Sequence, residues 1–331
     1  MPTITDSLDR AAQDNRFSGV VAVLGGSDDV VLPYGLANRS TGTPVTADTR
    51  FAVASGSKGM TALVIASLVE EGAVGFDTLA RELLGHDLPL IDDAVTIRHL
   101  LTHTSGIGDY LDEEELDTAD YVLTRPVQEY LTTSAFLPDL AGHPQAFPPG
   151  ERFAYCNGGF LVLALLAERA SGSTYHELVR TRVLEPAGMV ASGFFRSDRL
   201  PPDTALGYLS EDEDAISNVF HLPILGNGDG GLYTTVSDMH RFWTALLAGG
   251  IVTTGTVEEM ISTQVEVPDG PSDYGLGFWL RPSAEGDVDP ELVGEDAGVS
   301  FISRHDRSEG VTRTVLSGTT EGAWEMWDTL L

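Results

Sequence analysis

The spacing of apolar side chains changes period several times along the chain. Met1 to Arg16 is polar with apolar positions at helical spacing, which predicts an amphipathic helix. Phe17-Ser-Gly-Val-Val-Ala-Val-Leu24 and Asp29-Val-Val-Leu-Pro-Tyr-Gly-Leu36 are runs of strand-forming residues on either side of Gly25-Gly-Ser-Asp28, and together they predict a β-hairpin. From Ser55 to about Glu71 the helical period returns, with Met60, Leu63, Val64 and Leu68 on one face and Gly72 just past the end. Residues from about 73 to 224 read as mainly helical with long loops, and Thr174-Tyr-His-Glu177 there is a capping box opening a helix that ends before Pro186. Gly230 to Thr235 reads as a strand, followed by a helix from Ser237 to Leu247 that Gly249-Gly250 closes. Strand character resumes at Tyr274–Leu280, Gly298–Arg304 and Val311–Leu316, and a last helix spans about Glu321 to Leu331 with Trp324 and Trp327.

Strands at both ends with helices between them predict an α/β protein of the α+β type. One antiparallel sheet is closed by both termini, and a helical insert interrupts it. The α/β lobe then comprises about residues 1–72 and 225–331, and the mainly helical lobe about residues 73–224. There is no internal repeat and no Pro/Ser-rich linker, so the two lobes are expected to fold as a unit.

Composition narrows the function classes. The 331 residues are 42% hydrophobic, ample for a sizeable core. The longest apolar run, Phe160 to Ala167, is far shorter than the roughly 20 residues that span a bilayer. No basic n-region or apolar h-region opens the chain, so the expected compartment is the cytoplasm, and a single cysteine, Cys156, agrees with that. A formal net charge of −31 disfavours nucleic acid and anionic membranes as partners. It reads as a solvated acidic surface, or as adaptation to high salt, where screening relieves the repulsion. Of the 19 basic residues only Lys58 is a lysine. Arginine does not deprotonate in proteins, whereas a buried lysine can, which is a chemical reason for the exception.

Lys58 lies three residues after Ser55 in Ser55-Gly-Ser-Lys58, so on a helix the hydroxyl and the amine share a face. A serine hydroxyl needs a neighbouring base to become a nucleophile, and a first-turn backbone N–H is free to stabilise an oxyanion. Tyr155-Cys-Asn157 follows the turn signal Phe147-Pro-Pro-Gly150; in an extended segment its phenol and amide point the same way. Other signals are weaker. Gly226-Asn-Gly-Asp-Gly-Gly231 fits a dinucleotide-binding pattern but lacks a preceding strand, so it reads as a tight loop. His99 and His103 are four apart, where structural hydrogen bonding is favoured over a metal. Cys156 reads as a small, half-buried side chain rather than a reactive thiol. No serine has the G-x-S-x-G context.

Together these motifs resemble the serine β-lactamase and penicillin-binding-protein superfamily, in its class C-like branch of esterases, D-peptidases and β-lactamases. Further matches are Thr96-Ile-Arg-His-Leu-Leu-Thr-His-Thr-Ser-Gly-Ile107, Phe147-Pro-Pro-Gly-Glu151, Gly230-Gly-Leu-Tyr-Thr-Thr235, Tyr274-Gly-Leu-Gly277 and Leu316-Ser-Gly-Thr-Thr320, in order. The resemblance implies a β-lactamase/transpeptidase-like fold with the site in the cleft between the lobes, and neither metal nor organic cofactor. It implies acylation of Ser55, with Lys58 and Tyr155 sharing the proton work and Asn157 bonding the substrate carbonyl or the lysine. A third motif, Lys-Thr-Gly or His-x-Gly, is replaced here by Val293-Gly-Glu-Asp-Ala-Gly-Val-Ser300, so Glu295 stands where a cation is expected. A glutamate repels a substrate carboxylate. Gly298 is expected to give the second oxyanion N–H. The expected partner is a small ester, amide or peptide, uncharged or bearing an amine. The rivals are a D-amino-acid-releasing peptidase gripping an ammonium through Glu295, a weak β-lactamase, and a binding or regulatory protein that has lost catalysis.

Overall fold

The computed structural model describes residues 3–111, 123–212, 215–268, 270–283 and 288–331. Helix α1 (Ile4–Asp14) opens on a capping box, Thr3 Oγ1 accepting the Asp6 N–H while the Asp6 carboxylate accepts the Thr3 N–H. The first two residues of the expected helix lie outside the described residues. Strands β1 (Gly19–Leu24) and β2 (Val30–Tyr34) form the expected hairpin. The C-terminal part adds β3 (Asp273–Tyr274), β4 (Trp279–Pro282), β5 (Val288–Asp296), β6 (Val299–Asp306) and β7 (Val311–Ser317). All seven make one antiparallel sheet in the order β2-β1-β7-β6-β5-β4-β3, and Gly19 of the first strand pairs with Ser317 of the last.

The two faces of the sheet have different covers. Val21, Ile302 and Val315 pack with Leu8 of α1 and with Met326 and Trp327 of α5 (Gly322–Leu330). Val20, Phe301 and Leu316 face the larger core, which contains α2 (Lys58–Glu70), α3 (Asn157–Ser171) and α4 (Val236–Leu247). Helix α2 is apolar on nearly every side and is buried from Lys58 to Leu68, as expected for a helix enclosed on all faces. Among the described residues no helix is long and apolar enough to cross a membrane.

Two expected elements are divided. The apolar run Tyr274–Leu280 is a hairpin rather than one strand. Gly277 has φ +85°, and a Cβ at Gly275 would lie 2.2 Å from the Met260 carbonyl oxygen, so the chain turns where only glycine fits. The helix expected from Ser55 starts at Lys58, after a 3₁₀ turn over Ala54–Ser57.

Candidate active site

Ser55 sits in that 3₁₀ turn, directly before the central helix. The turn is entered through Ala54 at φ +43°, a left-handed conformation costing an L-residue about 1–2 kcal/mol. Hydrogen bonds hold it there: the Val53 N–H donates to Leu232 O (2.9 Å), the Gly56 N–H to Val53 O (2.8 Å) and Ser57 Oγ to Ala54 O (2.8 Å). Strand β5 crosses close against the turn. A Cβ on Gly294 would lie 2.1 Å from Val53 O and 2.9 Å from Ser55 N, so this position must be glycine.

Lys58 is 2% exposed. Its Nζ donates to Ser55 Oγ (2.7 Å), to Asn157 Oδ1 (2.7 Å) and to the Asp229 carbonyl oxygen (2.8 Å), and it lies 5.0 Å from the centre of the Tyr155 ring. Three of the residues singled out in the sequence are therefore joined by direct bonds, and the fourth packs its ring on the same amine.

The Asp229 carbonyl is delivered by the glycine-rich segment 226–231. Asn227 and Gly230 exchange backbone bonds of 2.9 and 3.2 Å, which makes the segment a tight loop. A Cβ on Gly228 would meet Phe160 O at 2.2 Å, so this glycine lets the loop lie against α3.

Asn157 is the first residue of α3, and the capping position before it holds Cys156, whose side chain caps nothing. Asp109 does the capping from a distance: its carboxylate accepts the N–H groups of Asn157 (2.6 Å) and Gly158 (2.8 Å). Burial pushes the Asp109 carboxyl up to about 6, against the lowering effect of those N–H donors and of the Lys58 charge. His103 secures the preceding residues. Its Nδ1 accepts the Cys156 N–H (3.0 Å), and its ring stacks on Tyr155 at 4.3 Å. Burial, and secondarily the Lys58 charge, pushes the His103 imidazole well below its usual range, so the ring is neutral. The structural reading of His103 is the one its bonds support, and Cys156 is buried, with its thiol pushed well up by burial.

Two hollows meet at Ser55. One runs under the helical lobe and is lined by Tyr110, Asn157, His221 and Asp229, with Glu295 and Asp296 on the sheet side. Within it the Tyr110 hydroxyl donates to Asp229 Oδ2 (2.5 Å). The other is an open cleft of about 470 Å³ along the sheet, lined by Tyr155, Trp279, Arg281, Gly294, Glu295 and Trp324. Glu295 lines both, and its Oε2 accepts the indole N–H of Trp324 (2.9 Å).

Gly298 is placed differently from the expectation. Its N–H donates to Thr320 Oγ1 (2.9 Å), and the residue, at φ +71°, forms the turn between β5 and β6. It lines a small hollow with Gly207 and Gly318 rather than either of those at Ser55. The physical reason is the two-residue connection Ala297-Gly298, which closes the hairpin immediately after Asp296. The β5 backbone beside Ser55 is instead Gly294–Asp296.

Asp109, Tyr110 and Asp229 were not singled out from the sequence. The one signal for Asp109 was indirect: a cysteine at the start of a buried helix cannot cap it, so an acid from elsewhere must. Among the described residues no group of three or more His, Cys, Asp or Glu side chains is placed to hold a metal ion.

The fold and these side chains together define the β-lactamase/transpeptidase-like class of serine enzymes. The chain belongs to the beta-lactamase family, whose model matches residues 5–325. It is 30% identical over 292 residues to penicillin-binding protein 4* of Bacillus subtilis, covering 82% of this chain and 62% of that protein. It is 30% identical over 281 residues to esterase EstB of Burkholderia gladioli (73% and 68% covered), and 29% identical over 290 residues to a D-aminopeptidase of Cereibacter sphaeroides (82% and 52%). The chain thus spans from about half to two thirds of these relatives' lengths. Among solved structures, a penicillin binding protein from Bacillus halodurans superposes with a TM-score of 0.91 at 36% identity, covering 98% of each chain.

Proposed function

We propose that this protein is a serine hydrolase that cleaves small esters or amides through an acyl-enzyme on Ser55. The observation that carries the reading is the 2.7 Å contact between Lys58 Nζ and Ser55 Oγ, in a cleft that Tyr155 also lines. In the acylation step the Ser55 oxygen bonds to the substrate carbonyl carbon, and its proton passes to Lys58 or Tyr155. The bond to the leaving group then breaks, and the leaving oxygen or nitrogen takes up that proton. Water attacks the resulting ester, its proton returns to Ser55 by the same pair, and the acid is released. The Ser55 N–H supplies one oxyanion donor. Asn157 positions Lys58 through its amide oxygen, and Asp109 positions Asn157. A protein that had lost catalysis would have no need of this three-way grip on the amine.

The part of the substrate that enters the hollow on the Asn157 side is uncharged or amine-bearing, because Asp229, Glu295 and Asp296 line it. The same three carboxylates favour a second reading, release of an amino-terminal D-residue, and the D-aminopeptidase relative supports it. The test is a rate panel of p-nitrophenyl esters, D-aminoacyl anilides and a chromogenic cephalosporin, each with the parent and with Ser55→Ala. Ester or anilide turnover that vanishes in Ser55→Ala is the expected result. Efficient cephalosporin hydrolysis would overturn the argument from Glu295. Anilide turnover that drops in Glu295→Gln while ester turnover holds would select the peptidase.

A further inference from the structure

Arg281 has no place in the chemistry above, yet its side chain lines the open cleft together with Ser55 and Tyr155. It lies on β4, two residues beyond Trp279, so the two side chains share a face of the strand. The Trp279 ring stacks parallel to that of Tyr155, at 6.3 Å and 10°. The acids of the same cleft are engaged. Glu291 is ion-paired to Arg304 at 2.5 Å, both being largely buried, and Glu295 accepts the Trp324 indole N–H. Among the described residues no carboxylate pairs with Arg281.

Register fixes how far this cation is from the nucleophile. Arg281 pairs across the sheet with Asp289 of β5, and Gly294 of the same strand abuts Ser55. The five residue steps along the strand from Asp289 to Gly294 cover on the order of 17 Å. Even a side chain lying wholly along the strand would span only roughly 6 Å of that, so the guanidinium stands at least on the order of 10 Å from Ser55.

We infer that Arg281 is an anion subsite on the leaving-group side, selecting substrates whose leaving group carries a carboxylate two to three residues beyond the scissile bond. The side of the cleft follows from Tyr155: a group that hands a proton to the departing atom must face it, and Tyr155 lines this cleft. This assignment rests on the proposed acyl-enzyme reading. The length follows from the distance, since an extended peptide advances about 3.3–3.6 Å per residue. A carboxylate next to the scissile nitrogen is too close to reach Arg281 and meets Glu295 instead.

The test uses the full-length protein and D-alanyl peptides whose leaving groups are one, two or three glycines, each as the free acid and as the C-terminal amide. The parent should favour acid over amide by about tenfold in kcat/KM for the two- and three-glycine leaving groups, and show no preference with one glycine. In Arg281→Gln that ratio should fall to about one, and in Arg281→Lys it should be partly kept. A further peptide, glycyl-aspartate amide as leaving group, separates a terminal carboxylate from a side-chain one. Calorimetric binding of the same peptides to Ser55→Ala needs no turnover, so it separates failure of this subsite from failure of the acyl-enzyme reading. Equal affinity of acid and amide there, or an acid preference that survives in Arg281→Gln, would overturn the proposal.

Discussion

Lys58 meets three acceptors, the Ser55 hydroxyl, the Asn157 amide and the Asp229 carbonyl, one for each hydrogen of an ammonium group. The site therefore orients the amine before any substrate arrives. In the proposed mechanism the bond to Ser55 reverses when lysine gives up a proton and accepts one from the hydroxyl. Arginine keeps the charge but has no neutral form within reach, and its planar fork does not match three acceptors set around one nitrogen. Lys58→Arg should lower acylation by roughly 10²–10⁴-fold, read as single-turnover release of p-nitrophenol. Near-parental acylation would show that Tyr155 or another group is the sole base. Ser55 and Lys58 were legible because S-x-x-K is a local pattern and the lysine has no competitor in the chain. Asp229 was not, because it contributes a backbone carbonyl and any side chain at that position would deliver the same atom.

Helix and strand ends carry the rest of the site. The N-terminus of α3 is capped by Asp109 across a gap of 48 residues in the chain, and the cap holds Asn157 against Lys58. The carboxyl, pushed up to about 6 by burial, ionises in the folded protein only well above its unfolded value of 3.8. Its contribution to stability is therefore fully present below that value and is lost as pH rises through about 6. The buried His103, pushed down, works in the opposite sense over an overlapping range, so the parent alone does not isolate Asp109. The informative quantity is the difference between Asp109→Asn and the parent in urea unfolding. The penalty of the substitution should be smaller at pH 7 than at pH 4.5; a penalty that grows with pH would contradict the assignment. Gly294 on β5 gives a second expectation at this scale. A methyl group there has to displace Val53 O and Ser55 N, so Gly294→Ala should cost about 1–3 kcal/mol and most of the activity. Parental stability and rate would show that the turn relaxes freely. Strand β5 itself was hard to read, because Pro290, Gly294 and its acidic residues break the alternation that marks the hairpin β1–β2. The serine turn was drawn into the helix for a different reason: the three-residue spacing of Ser55 and Lys58 fits a first helical turn, and nothing in the sequence marks the positive φ of Ala54.

The whole molecule carries 50 acidic residues against 19 basic ones, and many of its ion pairs, such as Arg180 with Glu177, lie at exposed positions where each is worth little. Repulsion among the remaining carboxylates falls as salt shortens the screening length from about 10 Å at 0.1 M to about 3 Å at 1 M. The thermal midpoint should therefore rise between 0.05 and 1 M NaCl, as estimated from that screening range; a flat or falling midpoint would remove the high-salt reading. At this scale the sequence was informative about the sheet, since strand-forming runs at both ends of the chain can share one sheet only if the termini meet, as Gly19 and Ser317 do. It was silent on the two-residue turn after Asp296, which carries Gly298 away from the nucleophile. The central claim, a nucleophilic Ser55, is tested most directly by weighing the intact protein after treatment with a fluorophosphonate probe and mapping the adduct by peptide mass spectrometry. The account requires a single adduct on Ser55 that is lost in Ser55→Ala; an adduct on Ser57 or Ser105, or labelling that persists in Ser55→Ala, would contradict it.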